Sequence, residues 1–217
     1  PYFRHLVHLI RPFPDFDFSF IKPVRQKAVE LLHLKPGDRV LDMGCGPGGC
    51  FPYLVGAVGP SGEVIGVDIS PEVAINARRR IERNKWHNVQ VIEGDARTVH
   101  LTGTFDGALM FAGADVYTSE KTLENIFPHL RNKARVVLFG VKTSSNRLGK
   151  VLNPVFRMAI SKLNFPTTPW QLDSEPWQMV AKRVEKLDVE EYFFGSMFLA
   201  SGSIVSGKKT LVNCRCA

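Results

Sequence analysis

Three carboxylates, each closing or following a short apolar run, are the residues of this chain best placed to do chemistry together: Asp42, Asp68 and Asp95. Asp42 follows Val40-Leu41 and leads into Met43-Gly44-Cys45-Gly46-Pro47-Gly48-Gly49. Glycines at that point let backbone approach a ligand closely, with a helix N-terminus just beyond. Taken alone, Gly44-x-Gly46-x-x-Gly49 equally fits a dinucleotide fingerprint. Asp42, two residues before the first glycine, would hold a cation beside the turn and repel a pyrophosphate, which argues against NAD or FAD. Asp68 ends Val64-Ile65-Gly66-Val67, 24 residues after Gly44. At the tip of a neighbouring strand such an acid accepts hydrogen bonds from two ribose hydroxyls. Asp95, in Glu93-Gly94-Asp95-Ala96, follows a third run and is placed for the amino edge of an adenine. Singly, the three read as a turn or helix cap, a strand-end charge and an Asx-turn. Together they describe a site for a nucleoside whose other end is cationic or zwitterionic and carries no phosphate.

Such a site needs strands to carry the acids and helices to cover the strands. Strands are predicted at 39–42, 64–67, 89–92, 107–111 and 135–141, with two more at 189–193 and 196–200 joined tightly through Gly195. Helices are predicted at about 23–32, 50–58, 71–84 and 120–130. The third has Ser70 as N-cap and Pro71 at its first position. Val73, Ala74, Ala77 and Ile81 fall on its apolar face, with Arg78, Arg79 and Arg80 toward solvent. Alternation of apolar strands with helices means a mostly parallel sheet covered on both faces, and the terminal hairpin suggests an antiparallel edge. Ligands bind such sheets at the carboxyl ends of the strands. The expected organisation is a single domain over 1–217: an N-terminal lid (1–34), a cofactor-binding core (36–141), a basic amphipathic lid insertion (142–184) and a terminal hairpin (185–204).

Asp42-Met43-Gly44-Cys45-Gly46-Pro47-Gly48 fits D-x-G-x-G-x-G without a gap. With acids after the second and third strands, the chain resembles the class I S-adenosylmethionine-dependent methyltransferases over roughly 36–141. The resemblance implies a doubly wound, seven-stranded α/β sheet whose last strand is antiparallel, with helical lid segments at the N-terminus and before the sixth strand. It implies S-adenosylmethionine as cofactor and S-adenosylhomocysteine as product, and no metal. Carried over, Asp42, Gly44, Cys45, Gly46 and Gly48 wrap the methionine part. Asp68 with Ile69 falls at the ribose, Asp95 with Ala96 at the adenine, and Phe111 faces the transferred methyl. The alternative, from another class, is a non-catalytic protein that binds the nucleoside and regulates.

The methyl of a sulfonium is already activated, so the protein mainly holds a nucleophile in line and excludes water. No catalytic triad is needed, and none is found. After the fourth strand, Asp115 and Tyr117 are the polar candidates for orienting an acceptor, against the plainer reading of a loop carboxylate and a packed aromatic. His129 reads as a helix C-terminal charge. His5, His8 and His33 could reach a site only through a lid. The acceptor is expected to be a small, lipophilic molecule attacked at O, N or C.

In 217 residues, 28 Lys+Arg stand against 21 Asp+Glu, a formal +7. That excess admits nucleic acid, an anionic membrane surface or an acidic ligand. Nucleic acid is disfavoured: Phe111-Ala112-Gly113-Ala114 stands where base amino-methylating enzymes of this fold carry Asn/Asp-Pro-Pro-aromatic, no cysteine follows a proline, and no RNA-binding module is visible. An RNA methyltransferase is the lesser alternative. Between Lys142 and Trp170 lie Lys142, Arg147, Lys150, Arg157 and Lys162 with no acid. A helix capped by Asn153 and opening at Pro154 would carry Val155, Phe156, Ala159, Ile160 and Leu163 on one face, suited to packing on the body or to peripheral membrane contact. Phe3, Leu6, Val7 and Ile10 form a similar stripe. No apolar run reaches the roughly 18 residues needed to span a bilayer. Cys45, Cys50, Cys214 and Cys216 match neither a zinc spacing nor a disulfide scaffold. The expected location is cytoplasmic, at or near a membrane surface.

Overall fold

The computed structural model describes residues 21–144, 151, 153 and 175–205. The N-terminal stripe, His5, His8, the stretch 13–20, the helix expected from Pro154, its basic residues Arg147, Lys150, Arg157 and Lys162, and Cys214 and Cys216 lie outside the described residues.

The elements run α1 (Lys22–Glu30), β1 (Arg39–Met43), α2 (Phe51–Val58), β2 (Glu63–Asp68), α3 (Pro71–Asn84), β3 (Val89–Glu93), β4 (Phe105–Phe111), α4 (Ala114–Tyr117) and α5 (Glu120–Ile126). A 3₁₀ turn (Phe127–His129) then leads into β5 (Leu130–Val141), and α6 (Gln178–Ala181), β6 (Leu187–Tyr192) and β7 (Met197–Ser203) follow. The seven strands form one sheet in the order β3-β2-β1-β4-β5-β7-β6. All pairings from β3 to β5 are parallel, and β7 lies antiparallel to both β5 and β6. The hairpin therefore closes the sheet by inserting its second strand beside β5 and leaving β6 at the edge.

The apolar runs are continuous because both faces are covered. On one face α1, α2 and α3 pack Ala28, Val29, Phe51, Leu54 and Ala77 against Val40, Leu109, Val137 and Leu199. On the other, α5 and α6 bring Leu123, Ile126 and Val180 to Leu41, Met110, Leu138 and Phe198. Local signals act as expected at α3: Ser70 is extended, its Oγ accepts from Val73 N at 3.4 Å, and Pro71 occupies the first turn.

Three expectations need correction. The arginines of α3 do not all point to solvent: Arg80 donates to the Gly48 carbonyl at 3.1 Å and Arg78 to the Val91 carbonyl. Arg80 thus reaches the turn after β1, and Arg78 the outer edge strand β3. Second, β5 begins at Leu130, not Arg135, because Leu130 pairs with Phe105 while Arg131 bonds Thr104 and Asp106. Third, Lys142 is no part of a basic surface. It is 1% exposed, its ammonium paired with Glu191 at 2.8 Å and lying over the Trp177 ring.

Candidate functional site

β1 lies between β2 and β4, so the connection leaving β1 runs one way along the sheet and that leaving β4 the other, and the two part at the carboxyl ends of the strands. Into that crevice the turn after β1 projects. Its backbone is forced through the left-handed region at Gly44, Gly46 and Gly48, with φ of 74°, 56° and 79°. At Gly46 a side chain would meet nothing within 4 Å, so the surface there is bare backbone facing open space. At Gly48 a Cβ would strike the Phe51 ring at 2.5 Å, so that glycine serves the packing of α2. Gly44 and Cys45 both donate their N–H to the Val67 carbonyl, at 2.8 and 3.0 Å, which clips the turn onto β2. The Cys45 thiol is buried and burial pushes its pKa well up, so the residue contributes backbone and packing, not a thiolate.

Asp68 completes the brace. One carboxylate oxygen accepts from Gly46 N and the other from Ser70 N, each at 2.9 Å. Each oxygen keeps a second lone pair for a further donor. Burial raises the Asp68 pKa, opposed by those two backbone donors, and the Asp115 charge raises it further. Ile69 beside it is 61% exposed, an apolar side chain standing in the open at the tip of β2.

Asp42 lies beneath the turn, 1% exposed, and neither of its carboxylate oxygens has a hydrogen-bond partner among the described residues. Burial first, then the nearby Asp68 charge, push its pKa up to about 7, and the Arg25 guanidinium pulls it down. A buried carboxylate without donors is costly to keep, and such a cost persists where a ligand repays it.

At the tip of β3, Asp95 is held by Arg97. It accepts from the Arg97 backbone N–H at 2.9 Å, forming the Asx-turn, and takes the Arg97 guanidinium on both oxygens. These bonds hold its carboxyl below the ordinary range. The neighbouring Ala96 is half-buried, its carbonyl accepting from Asn125.

Beyond β4, Phe111 stacks on Phe139 with centroids 4.3 Å apart, and the Arg25 guanidinium lies 5.7 Å over its ring. Ala112 takes a left-handed φ of 64° and starts the turn into α4. Asp115 is exposed at the first turn of α4, but atoms packed around its carboxylate raise its pKa, and it senses the charges of Arg97 and Asp95. Tyr117 is fully buried, in edge contact with Phe198, and its hydroxyl has no hydrogen-bond partner among the described residues. It borders a small apolar cavity with Ala112, Ala114, Phe139, Gly140, Val141 and Met197. A Cβ at Gly140 would come within 2.0 Å of that hydroxyl, so only glycine leaves it room.

The structure thus gathers Asp42, Gly44, Cys45, Gly46, Gly48, Asp68, Ile69, Asp95, Ala96, Phe111, Asp115 and Tyr117 at one end of the sheet. His129 lies at the opposite end, its Nδ1 at 2.9 Å from the Gly103 carbonyl, and His33 lines a groove between α1 and α2. Sequence reasoning missed three arginines here. Arg97, two residues past Asp95, was within reach of a local-turn argument. Arg80 and Arg25 come from helices distant in sequence, and nothing local signals them. Among the described residues no cluster of three metal-ligating side chains is present, and no helix is long and apolar enough to cross a membrane.

Residues 40–133 match the family model described as a methyltransferase domain. A demethylmenaquinone methyltransferase of Symbiobacterium thermophilum is 33% identical over 108 residues, 48% of this chain and 43% of that protein. A protein-L-isoaspartate O-methyltransferase of Methanothrix thermoacetophila is 28% identical over 175 residues, 77% of this chain and 83% of that one. The chain spans less than half the length of most of the curated relatives it matches. In fold it is similar to the crystal structure of a SAM-dependent methyltransferase from Aquifex aeolicus, with TM-score 0.64 at 22% identity, covering 88% of this chain and 100% of that one.

Proposed function

We propose that this chain, whose residues 40–133 match a methyltransferase domain, is a class I S-adenosylmethionine-dependent methyltransferase that binds that cofactor over the tips of β1, β2 and β3 and methylates a small, apolar acceptor. One observation carries the reading: a buried carboxylate, Asp42, without a donor on either oxygen among the described residues, lies under a glycine turn braced by Asp68. The residues fit the cofactor. Asp42 offers its oxygens to a cationic amino group, and the open backbone at Gly46 admits close approach by the methionyl chain. Asp68 takes the ribose hydroxyls on its second lone pairs, Ile69 lies against the purine, and Asp95 with Ala96 reads the purine edge.

When bound, the cofactor supplies a methyl already activated on a sulfonium. The protein's own part is to seat the acceptor and exclude water. Phe111 screens the reacting end, and Asp115 and the Tyr117 hydroxyl orient the acceptor at the carboxyl ends of β4 and β5. An apolar acceptor is in keeping with the apolar side chains around the Tyr117 hydroxyl, Ala112, Ala114, Phe139, Val141 and Met197, although the cavity among them has room for about one water and is not itself the acceptor site. The likeness to a demethylmenaquinone methyltransferase points the same way. Peripheral membrane contact remains part of this proposal through the basic residues beyond Lys142, and vesicle cosedimentation at two salt concentrations tests it.

Incubation of the purified protein with methyl-labelled S-adenosylmethionine and cell extract tests the function. Label in the organic-soluble fraction is expected. Label in protein or RNA would overturn the acceptor class, and cofactor binding with no transfer to any fraction would favour a binding protein.

A further inference from the structure

The hairpin that closes the sheet turns at the same end as the crevice. β6 ends at Tyr192 and β7 begins at Met197, which pairs with Val141 at the carboxyl end of β5. Between them the backbone passes through three left-handed residues in a row, Phe193, Phe194 and Gly195, with φ of 49°, 57° and 79°. That conformation suits glycine and asparagine and is costly for a bulky side chain. A connection that only had to turn would be served by those smaller residues. Nor do the rings serve the core: Phe193 is 60% exposed and Phe194 62%.

The strained turn is held from below. Gly195 N donates to the Tyr192 carbonyl and Ser196 N to the Phe193 carbonyl, each at 3.1 Å. Lys142 N bonds the Ser196 carbonyl at 3.0 Å, and the buried Ser144 hydroxyl donates to the Phe194 carbonyl at 2.7 Å. Ser144 also gathers a second segment, because its backbone exchanges hydrogen bonds with the Asn153 side-chain amide, both at 3.1 Å. Two residues before Asn153 stands Val151, 77% exposed. Open apolar side chains from two segments thus converge on one braced point. The acids beside it are engaged: Glu191 pairs with the Lys142 ammonium, and Glu190 accepts from the Tyr192 hydroxyl at 2.7 Å. From Ser144 the sequence continues through Arg147, Lys150, Arg157 and Lys162 and meets no acid before Asp173.

We infer that the β6–β7 tip, with Val151 beside it, seats the protein on an anionic bilayer: the two phenyl rings enter the acyl boundary, and the basic stretch supplies attraction to the headgroups. This rests on the membrane contact proposed above and gives it its anchoring residues. Because the tip and the crevice share one end of the sheet, docking turns the crevice toward the lipid, and an apolar acceptor reaches it without crossing water. Each ring moved into lipid contributes on the order of tenfold or more in partitioning.

The test is cosedimentation of the whole chain with vesicles of phosphatidylcholine alone and of phosphatidylcholine mixed with phosphatidylglycerol, at low and moderate salt. Wild type is expected to prefer the anionic vesicles, and salt to weaken binding without abolishing it, because buried rings do not respond to screening. Phe193→Asn combined with Phe194→Asn suits the left-handed backbone, so the melting temperature should equal or exceed that of wild type. Partitioning of that double variant is expected to fall by about tenfold or more, with S-adenosylhomocysteine affinity unchanged. Val151→Ser should act in the same direction more weakly. Salt-sensitive binding that survives the double variant overturns the tip and leaves the membrane contact standing on its basic residues. Failure of wild type to bind either vesicle overturns both and leaves the cofactor reading untouched. A wild-type dimer that the double variant breaks would mark the tip as an interface between copies, which overturns the proposal too.

Discussion

Replacing Asp42 by Asn should make the free protein more stable and deprive it of its cofactor, and the gain should depend on pH in a defined way. The carboxyl's pKa stands at about 7 in the fold because burial and the Asp68 charge disfavour its ionised form. In the unfolded chain it returns to about 3.9. Below pH 4 both states hold the proton and the aspartate costs nothing extra. Between pH 4 and 7 the unfolded chain releases the proton and the fold keeps it, so stability falls as pH rises. Above 7 both are ionised and the penalty is constant. At about 1.36 kcal/mol per pKa unit the full penalty is about 4 kcal/mol, of which about 3 kcal/mol accrues between pH 5 and pH 8. Asn shares the shape of the protonated acid and does not titrate, so the stability difference between Asp42→Asn and wild type should grow by that amount over this interval. For a chain of this length it corresponds to about 6 to 12 °C in melting temperature. Asp68 and Asp115 also have raised pKa values, but they are present in both proteins and largely cancel in the difference. The assay is thermal unfolding of both proteins at pH 5, 6, 7 and 8. Saturating S-adenosylhomocysteine should restore the wild type at pH 8 and leave the variant where it was. A stability difference that stays flat from pH 5 to 8 would refute the argument, because the carboxylate would then already be ionised and satisfied.

The two turn glycines should separate under substitution: Gly46→Ala is expected to cost only the left-handed strain of about 1 to 2 kcal/mol in urea unfolding while cofactor binding drops sharply. Gly48→Ala should lose clearly more stability, through its clash with the Phe51 ring, and equal losses at the two positions would show that the turn does not distinguish them. Asp68→Asn should reduce S-adenosylhomocysteine affinity by tenfold or more in calorimetry, and unchanged affinity would remove the ribose assignment. Tyr117→Phe deletes a buried hydroxyl without a partner among the described residues and should stabilise the fold by about 1 kcal/mol or more. If that hydroxyl orients the acceptor, labelled methyl transfer will fall while S-adenosylhomocysteine binding holds, whereas unchanged transfer would leave Tyr117 as packing.

How much of this was legible in the sequence differs by element. The tips of β1, β2 and β3 were, because each acid directly ends or follows a short apolar run and the turn residues declare their own backbone needs. So was α3, where Ser70 and Pro71 mark the start. The beginning of β5 was hidden by Arg131-Asn132-Lys133, three exposed residues that look like a loop until Arg131 is seen bonding Thr104 and Asp106 across the strand. Lys142 looked like surface charge, and only the fold brings Glu191 and Trp177 to it. Arg25 precedes Asp42 in the chain by 17 residues, and no local pattern links a helix flank to the far side of a glycine turn. What sequence could not supply were side chains acting across elements, since periodicity reports only which face of an element is dry.

The insertion of β7 beside β5 has a consequence for how this molecule can fail. Seven consecutive residue pairs, from Arg135 with Ser203 to Val141 with Met197, join strands that lie far apart along the chain. Until they meet, or whenever the hairpin peels away, β5 offers an open edge rich in Val136, Val137, Leu138 and Phe139. Such an edge templates pairing with another molecule. Nascent or partly opened copies are therefore the aggregation-prone species, and the late-arriving strand acts as the fold's own chaperone against them.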